Sequence, residues 1–310
     1  MKKIIAAALL SFSLNSFADN APLWLRFCSI SPDGQTIAFS YKGDLFSVPV
    51  NGGIAKQLTT NPAYDAYPIW SPDGQKIAFA STREGSMDIY LMNKNGGVPK
   101  RLTTNSGSEI PMAFTDNNHV LFSSAIMPTA KSIFFASGTF PQTYEVNIDA
   151  SRPRLYSPIT MCDANVKSNG DILYHDVKGY EDNFRKHHRS PVTRDIWLYS
   201  KGNYTKLTNF DGEDRTPVWG NNTNEYYYLS EEDGTFNVYK RNIDGSGKKQ
   251  LTFHKANPVR FLTVANNGTI CYGYDGEIYT LKNGQQPKKV DITIVTDQID
   301  NDLVRQVRTS

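Results

Sequence analysis

From Tyr67 to Thr103 short alternating runs of apolar and polar residues are separated by turn residues, and this pattern predicts four strands. Tyr67 to Trp70 is the first. Ser71-Pro72-Asp73-Gly74 follows as a turn, with proline and glycine where a type I turn takes them. Lys76 to Ala80 alternates as a half-buried strand does, and Asp88 to Met92 is the third strand. Asn95-Gly96-Gly97 supplies the positive φ angles of a tight hairpin, and Pro99 to Thr103 closes the unit. One such sheet cannot bury both faces alone, so it has to stack on copies of itself.

The copies are present. The core of the second strand recurs as Ile37-Ala38-Phe39, Ile77-Ala78-Phe79, Val120-Leu121-Phe122, Ile172-Leu173-Tyr174, Tyr226-Tyr227-Tyr228 and Ile270-Cys271-Tyr272, at spacings of 40, 43, 52, 54 and 44 residues. The third strand recurs in step from Asp44-Leu45-Phe46 to Glu277-Ile278-Tyr279, with a degraded copy at Gln142-Thr143-Tyr144. The fourth recurs as Gln57-Leu58-Thr59, Arg101-Leu102-Thr103, Arg154-Leu155-Tyr156, Lys206-Leu207-Thr208 and Gln250-Leu251-Thr252, with a weak copy at Lys289-Val290-Asp291. Six repeats of this length predict an all-β fold, a six-bladed β-propeller of four-stranded antiparallel blades over residues 19–292. Four strands per repeat and no capping repeat argue against a solenoid. No strand is reserved at one end of the chain to complete the blade at the other. The ring is therefore expected to close by packing of blade one on blade six.

Two connections are longer than the template. Phe122 to Tyr144 spans 22 positions and Tyr174 to Trp197 spans 23, where the template spans 11. In a meander blade, second-to-third and fourth-to-first connections emerge on one side of the ring. Both insertions fall on that side, in neighbouring blades, while the opposite side carries minimal turns such as Asp244-Gly245. Connections that outgrow their structural need tend to be functional. The first insertion offers Ile133, Phe134 and Phe135, and the second offers Glu181, Asp182, Arg185, His187 and His188. Fourth-to-first loops add Asp65, Glu109, Glu213, Asp214 and Arg215, so a polar recognition rim at the channel mouth is expected; the plainer alternative is that these acids satisfy loop amides.

With 39% apolar and 12% aromatic residues, the chain of 310 residues has the makings of a large sheet core rather than a disordered segment. A net charge of +2, with signs interspersed, calls for neither nucleic acid nor an anionic membrane. Lys2-Lys3, the apolar run Ile4 to Leu10 and Ser16-Phe17-Ala18 read as a secretory signal peptide over residues 1–18, too short to anchor in a bilayer. The mature protein is then expected in the periplasm, with no membrane insertion after cleavage. Cys28, Cys162 and Cys271 are odd in number and far apart, and read as core residues rather than a disulfide framework.

The run from His175 to Arg189 is the densest in titratable groups, yet its spacing matches no metal-ligand motif, and adjacent His187-His188 on a strand would point to opposite sides. No G-x-S-x-G elbow, H-E-x-x-H helix or phosphate-binding glycine loop occurs, so no catalytic, cofactor-binding or metal-ligating residue is assigned.

The unit SPDGQKIAFASTREGSMDIYLMNKNGGVPKRLT closely resembles the repeat of TolB-type and tricorn-type propellers. Beyond it, KGYEDNFRKHHRSPVTRDIWLY, LTNFDGEDRTPVW and NPVRFL resemble the N-terminal propeller of exported tricorn-like serine peptidases, of the tail-specific protease superfamily. Residues 297–308 resemble the junction into a second propeller, which makes 293–310 a tail. The resemblance implies a non-catalytic propeller that gates or docks peptide substrates or the catalytic domains. Its partner would be a peptide or protein, with the peptidase domains themselves a candidate. A stand-alone TolB-type binding propeller is the alternative. None of the peptidase's catalytic residues has a matching position in this chain.

Overall fold

The computed structural model describes residues 22–126, 141–179, 191–222, 224–282 and 284–295. Six antiparallel sheets follow one another along the chain, spanning residues 26–57, 65–101, 109–157, 162–206, 214–250 and 260–289. Each is a four-stranded meander. The innermost strands are Arg26–Ile30, Asp65–Trp70, Glu109–Asp116, Cys162–Val166, Asp214–Trp219 and Arg260–Val264, and each contacts the next until the last returns to the first. The ring is closed, and the expected propeller with its six blades is the observed fold.

The recurrent sequence motifs fasten the blades that carry them with hydrogen bonds. In Ser31-Pro32-Asp33-Gly34 the Ser31 hydroxyl donates to Asp33 Oδ1 at 2.5 Å and accepts the Thr36 N–H at 3.0 Å, while Asp33 Oδ1 takes the Gln35 N–H at 3.0 Å. Ser71, Asp73, Gln75 and Lys76 repeat the arrangement. At the other end, the threonine of each Leu-Thr pair accepts a third-strand amide. Thr59 takes Leu45 N–H at 2.9 Å, and Thr208 and Thr252 do the same for Ile196 and Val238.

Second-strand residues fill the spaces between blades. Ile37, Phe39, Ile77, Phe79, Phe122, Leu173, Tyr228 and Tyr272 are all buried, as the repeat predicts. Phe79 stacks on Tyr90 with ring centroids 5.9 Å apart, and Phe122 on Tyr144 at 5.6 Å. That second contact helps the degraded third strand of blade three form a complete strand, Gln142–Asn147. Cys28 and Cys271 lie in one core cluster shared by blades one and six, and the Cys28 thiol donates to Phe261 O at 3.4 Å.

Ring closure differs from expectation. After blade six the chain continues as strand Ile292–Ile294, which pairs in parallel with Gly53–Gln57 and gives blade one a fifth strand. The outer edge of blade one has free amides to satisfy, and the pair Gly52-Gly53 lets the incoming chain approach. Gly53 N–H donates to Asp291 O at 2.8 Å, and a Cβ on Gly52 would lie 2.5 Å from the same carbonyl. The ends of the ring are therefore joined by backbone hydrogen bonds as well as by packing.

Candidate functional site

Every innermost strand is interrupted by a register shift near its start. In five of the six the extra residue takes a left-handed conformation without being glycine: Phe27 (φ +52°), Tyr67 (+55°), Asp163 (+48°), Thr216 (+49°) and Phe261 (+58°). Each costs about 1–2 kcal/mol of backbone strain, and for a β-branched residue such as Thr216 the conformation is a marked outlier. Strain repeated at one structural position in five blades points to a position that serves the site.

These residues come from different blades and meet at the axis. Phe27 of blade one lies 4.0 Å, between ring centroids, from Tyr67 of blade two and 4.9 Å from Phe261 of blade six. On the other side of the channel the Thr216 hydroxyl donates to Asp163 Oδ2 at 2.7 Å, joining blades five and four. Buried His175 lies beside this pair, with Nδ1 accepting the Thr216 N–H at 3.4 Å and standing 3.7 Å from Asp163. Burial, opposed by Asp163 and aided by Arg194 and Arg215, lowers the His175 pKa to about 4, so the ring is neutral at pH 7.

One register position before each bulge, the blades diverge. Arg26 faces Ser40, Arg215 faces Leu229 and Arg260 faces Gly273 across the same step of the ladder, whereas blade two has Ala66 and blade four Cys162 there. Three consecutive blades thus place arginines at one channel mouth, the mouth on the side of the long connections. Arg215 pairs with Glu213, which also lies 3.5 Å from Arg194. Arg26 and Arg260 are exposed, and their side chains make no hydrogen bond or ion pair with a described residue. Exposed as Arg260 is, partial loss of water around its guanidinium and the neighbouring Arg215 and Arg26 push its pKa down.

Asp65, Glu109 and Asp214 lie beneath the rim rather than on it. All three are buried, each opposite a serine in the neighbouring strand: Ser81, Ser124 and Ser230. Asp65 pairs with Arg83 at 2.6 Å. Burial raises Glu109, beside Asp88, to about 7 and Asp214 to about 6. These positions start inner strands and are buried, which hides them from a ligand at the mouth. Arg215 is partly exposed, paired with Glu213 and lying over the Phe236 ring. Phe134, Phe135, Glu181, Asp182, Arg185, His187 and His188 fall outside the described residues. Among the described residues no group of three potential ligands is placed to hold a metal ion.

A groove of about 900 Å³ lies on the opposite, short-turn side, lined by Ser31, Asp33, Trp70, Asp73 and Asn267 among others. Its polar groups already bond one another, as in Ser31 to Asp33 and Asn267 to Asp33 O. Sequence reasoning missed Phe27, Tyr67, Asp163, Thr216, Phe261, Arg26 and Arg260 because they share no residue type. The available signal was the recurrence of arginine in Leu-Arg-Phe and Val-Arg-Phe and in Asp-Arg-Thr at the start of inner strands.

The fold is a six-bladed propeller with a bulged, charged channel. Residues 22–287 match the tricorn protease N-terminal beta propeller domain, and the chain belongs to that family. It is 25% identical over 286 residues to tricorn protease homolog 1 of Streptomyces coelicolor, covering 90% of this chain and 26% of the relative. The crystal structure of the tricorn protease superposes with a TM-score of 0.75 at 21% identity, over 90% of this chain and 27% of that one. TolB from Acinetobacter baumannii gives a TM-score of 0.61 at 14% identity, over 86% of this chain and 65% of that one, a likeness of fold alone. The chain spans about a quarter of the length of these tricorn relatives.

Proposed function

We propose that the chain is the non-catalytic propeller of an exported, periplasmic tricorn-type serine peptidase, and that it docks or gates extended peptides at its axial channel. The observation that carries this reading is the convergence of strained bulge residues and arginines at one mouth, on the side from which both long connections leave, with Arg26 and Arg260 lacking an ion-pair partner among the described residues. Exposed Trp24, Tyr64 and Phe253 lie in chain segments on that same side, next to inner-strand starts. Apolar anchors around a charged centre suit a peptide or protein partner. No nucleophile, base and oxyanion donors converge among the described residues, so hydrolysis is assigned to domains outside this chain.

Two measurements test this. The purified chain should bind a fluorescently labelled, extended peptide saturably, and absence of such binding would remove the docking role. It should leave casein and fluorogenic peptides intact, and turnover abolished by a single point change would overturn the non-catalytic reading. An in-frame continuation in the downstream DNA favours the multidomain peptidase; a stop codon favours a stand-alone TolB-type binding propeller.

A further inference from the structure

We infer that Arg26, Arg215 and Arg260 form a carboxylate-reading arc, which selects peptide segments carrying acidic side chains; the proposal rests on the docking role above. Three features carry it. The arginines occupy one register position in blades five, six and one, so they form an arc on one half of the channel mouth. The Arg215 and Arg26 guanidiniums stand close enough to Arg260 to help push its pKa down, and like charges held together are costly unless an anion joins them. Glu213 serves Arg215 and Arg194, which leaves Arg26 and Arg260 with no described partner.

The floor beside the arc favours an amino-acid side chain over a bare ion. Immediately after the arginines come Phe27 and Phe261, in contact with each other and, through Phe27, with Tyr67. A glutamate could lay its methylenes on these rings while its carboxylate meets a guanidinium, whose planar fork matches two oxygens. Across the channel Asp163 presents a half-exposed carboxylate, which repels an acidic side chain on that half, while the arginines repel a basic one on theirs. The segment read would therefore be acidic on one flank only.

The test uses two acetylated, C-terminally amidated extended peptides that differ only in carrying two glutamates or two glutamines, and the full chain as it exists. Each charge-assisted contact is worth enough that the glutamate peptide should bind roughly tenfold tighter at low salt. The double variant Arg26→Gln with Arg260→Gln should erase that preference while leaving the thermal midpoint unchanged. Lys94→Gln, on the opposite side of the ring, should change neither. Equal affinity for the two peptides, or an unchanged preference in the double variant, overturns the arc and leaves docking standing. Binding only of a peptide with a free C-terminal carboxylate also overturns it, since the site would then read chain ends. Failure of both peptides to bind removes the docking role itself.

Discussion

Thr103 Oγ1 accepts the backbone N–H of Ile89 at 2.9 Å, and through this bond the fourth strand of blade two holds the start of the third. Thr59 and Leu45, Thr208 and Ile196, and Thr252 and Val238 stand in the same relation. Thr59 and Thr252 also donate onward, to Asp44 and Asn237. Thr103→Val keeps the shape but strands a buried amide, and should lower unfolding stability by about 1–3 kcal/mol. Urea unfolding followed by tryptophan fluorescence reads this directly; an unchanged midpoint would mean that the amide has another acceptor.

Phe79 is fully buried between blades one and two and stacks on Tyr90. Phe79→Ala should cost about 3–5 kcal/mol, as large deletions in a core do. A loss under 1 kcal/mol, measured in the same urea assay, would show that this interface collapses into the space or is not closely packed.

Gly52 and Gly53 separate strain from contact at the ring closure. Both have positive φ, +91° and +120°, but an added Cβ meets the Asp291 backbone only at Gly52 and meets nothing within 4 Å at Gly53. Gly52→Ala should therefore destabilise more than Gly53→Ala, and should expose residues 291–295 to hydrogen exchange. Equal effects and unchanged exchange would sink the role assigned to the fifth strand.

Glu109 predicts a pH dependence of definite sign. Its folded pKa, raised by burial to about 7, exceeds the usual 4.5, so the folded state holds a proton that the unfolded state has lost. This group's contribution to stability falls as pH rises from 4.5 to 7 and then levels, a loss of up to about 3 kcal/mol. Glu109→Gln should gain thermal stability relative to the parent as pH goes from 5 to 8. A difference independent of pH would show that Glu109 is ionised in the folded protein throughout.

His175 acts in the opposite direction. Its folded pKa, lowered to about 4, means that the unfolded state takes up a proton first as pH falls below 6.5. Stability should drop between pH 6.5 and 4, and His175→Gln should flatten that limb of the curve. Because His175 receives the Thr216 N–H, the variant should also weaken peptide binding if Thr216 helps to shape the channel. Identical acid limbs in parent and variant would contradict the neutral, buried ring.

The blade count, the strand order and the inter-blade core were legible because they are local. Ile77-Ala78-Phe79 writes its own alternation, and Ser71-Pro72-Asp73-Gly74 its own turn. The reach of the rim carboxylates was not legible. Asp65 and Arg215 look equally solvent-ready in sequence, yet Asp65 is fully buried and paired to Arg83 while Arg215 stays partly exposed beside Glu213. Burial of a polar residue depends on which loop lies over it, and that is a non-local matter.

By itself the sequence determined the six repeats, the four strands in each, and the lack of recognisable hydrolase motifs, because periodicity and turn chemistry act over a few residues. Only the tertiary structure decided which residues meet at the axis. Arg26 and Arg260 are 234 positions apart, and become neighbours because the ring brings the last blade against the first. The same closure places Phe27 against both Tyr67 and Phe261 and lets Ile292–Ile294 pair beside Gly53. Such contacts depend on the radius and closure of the whole ring, which no short stretch of chain encodes.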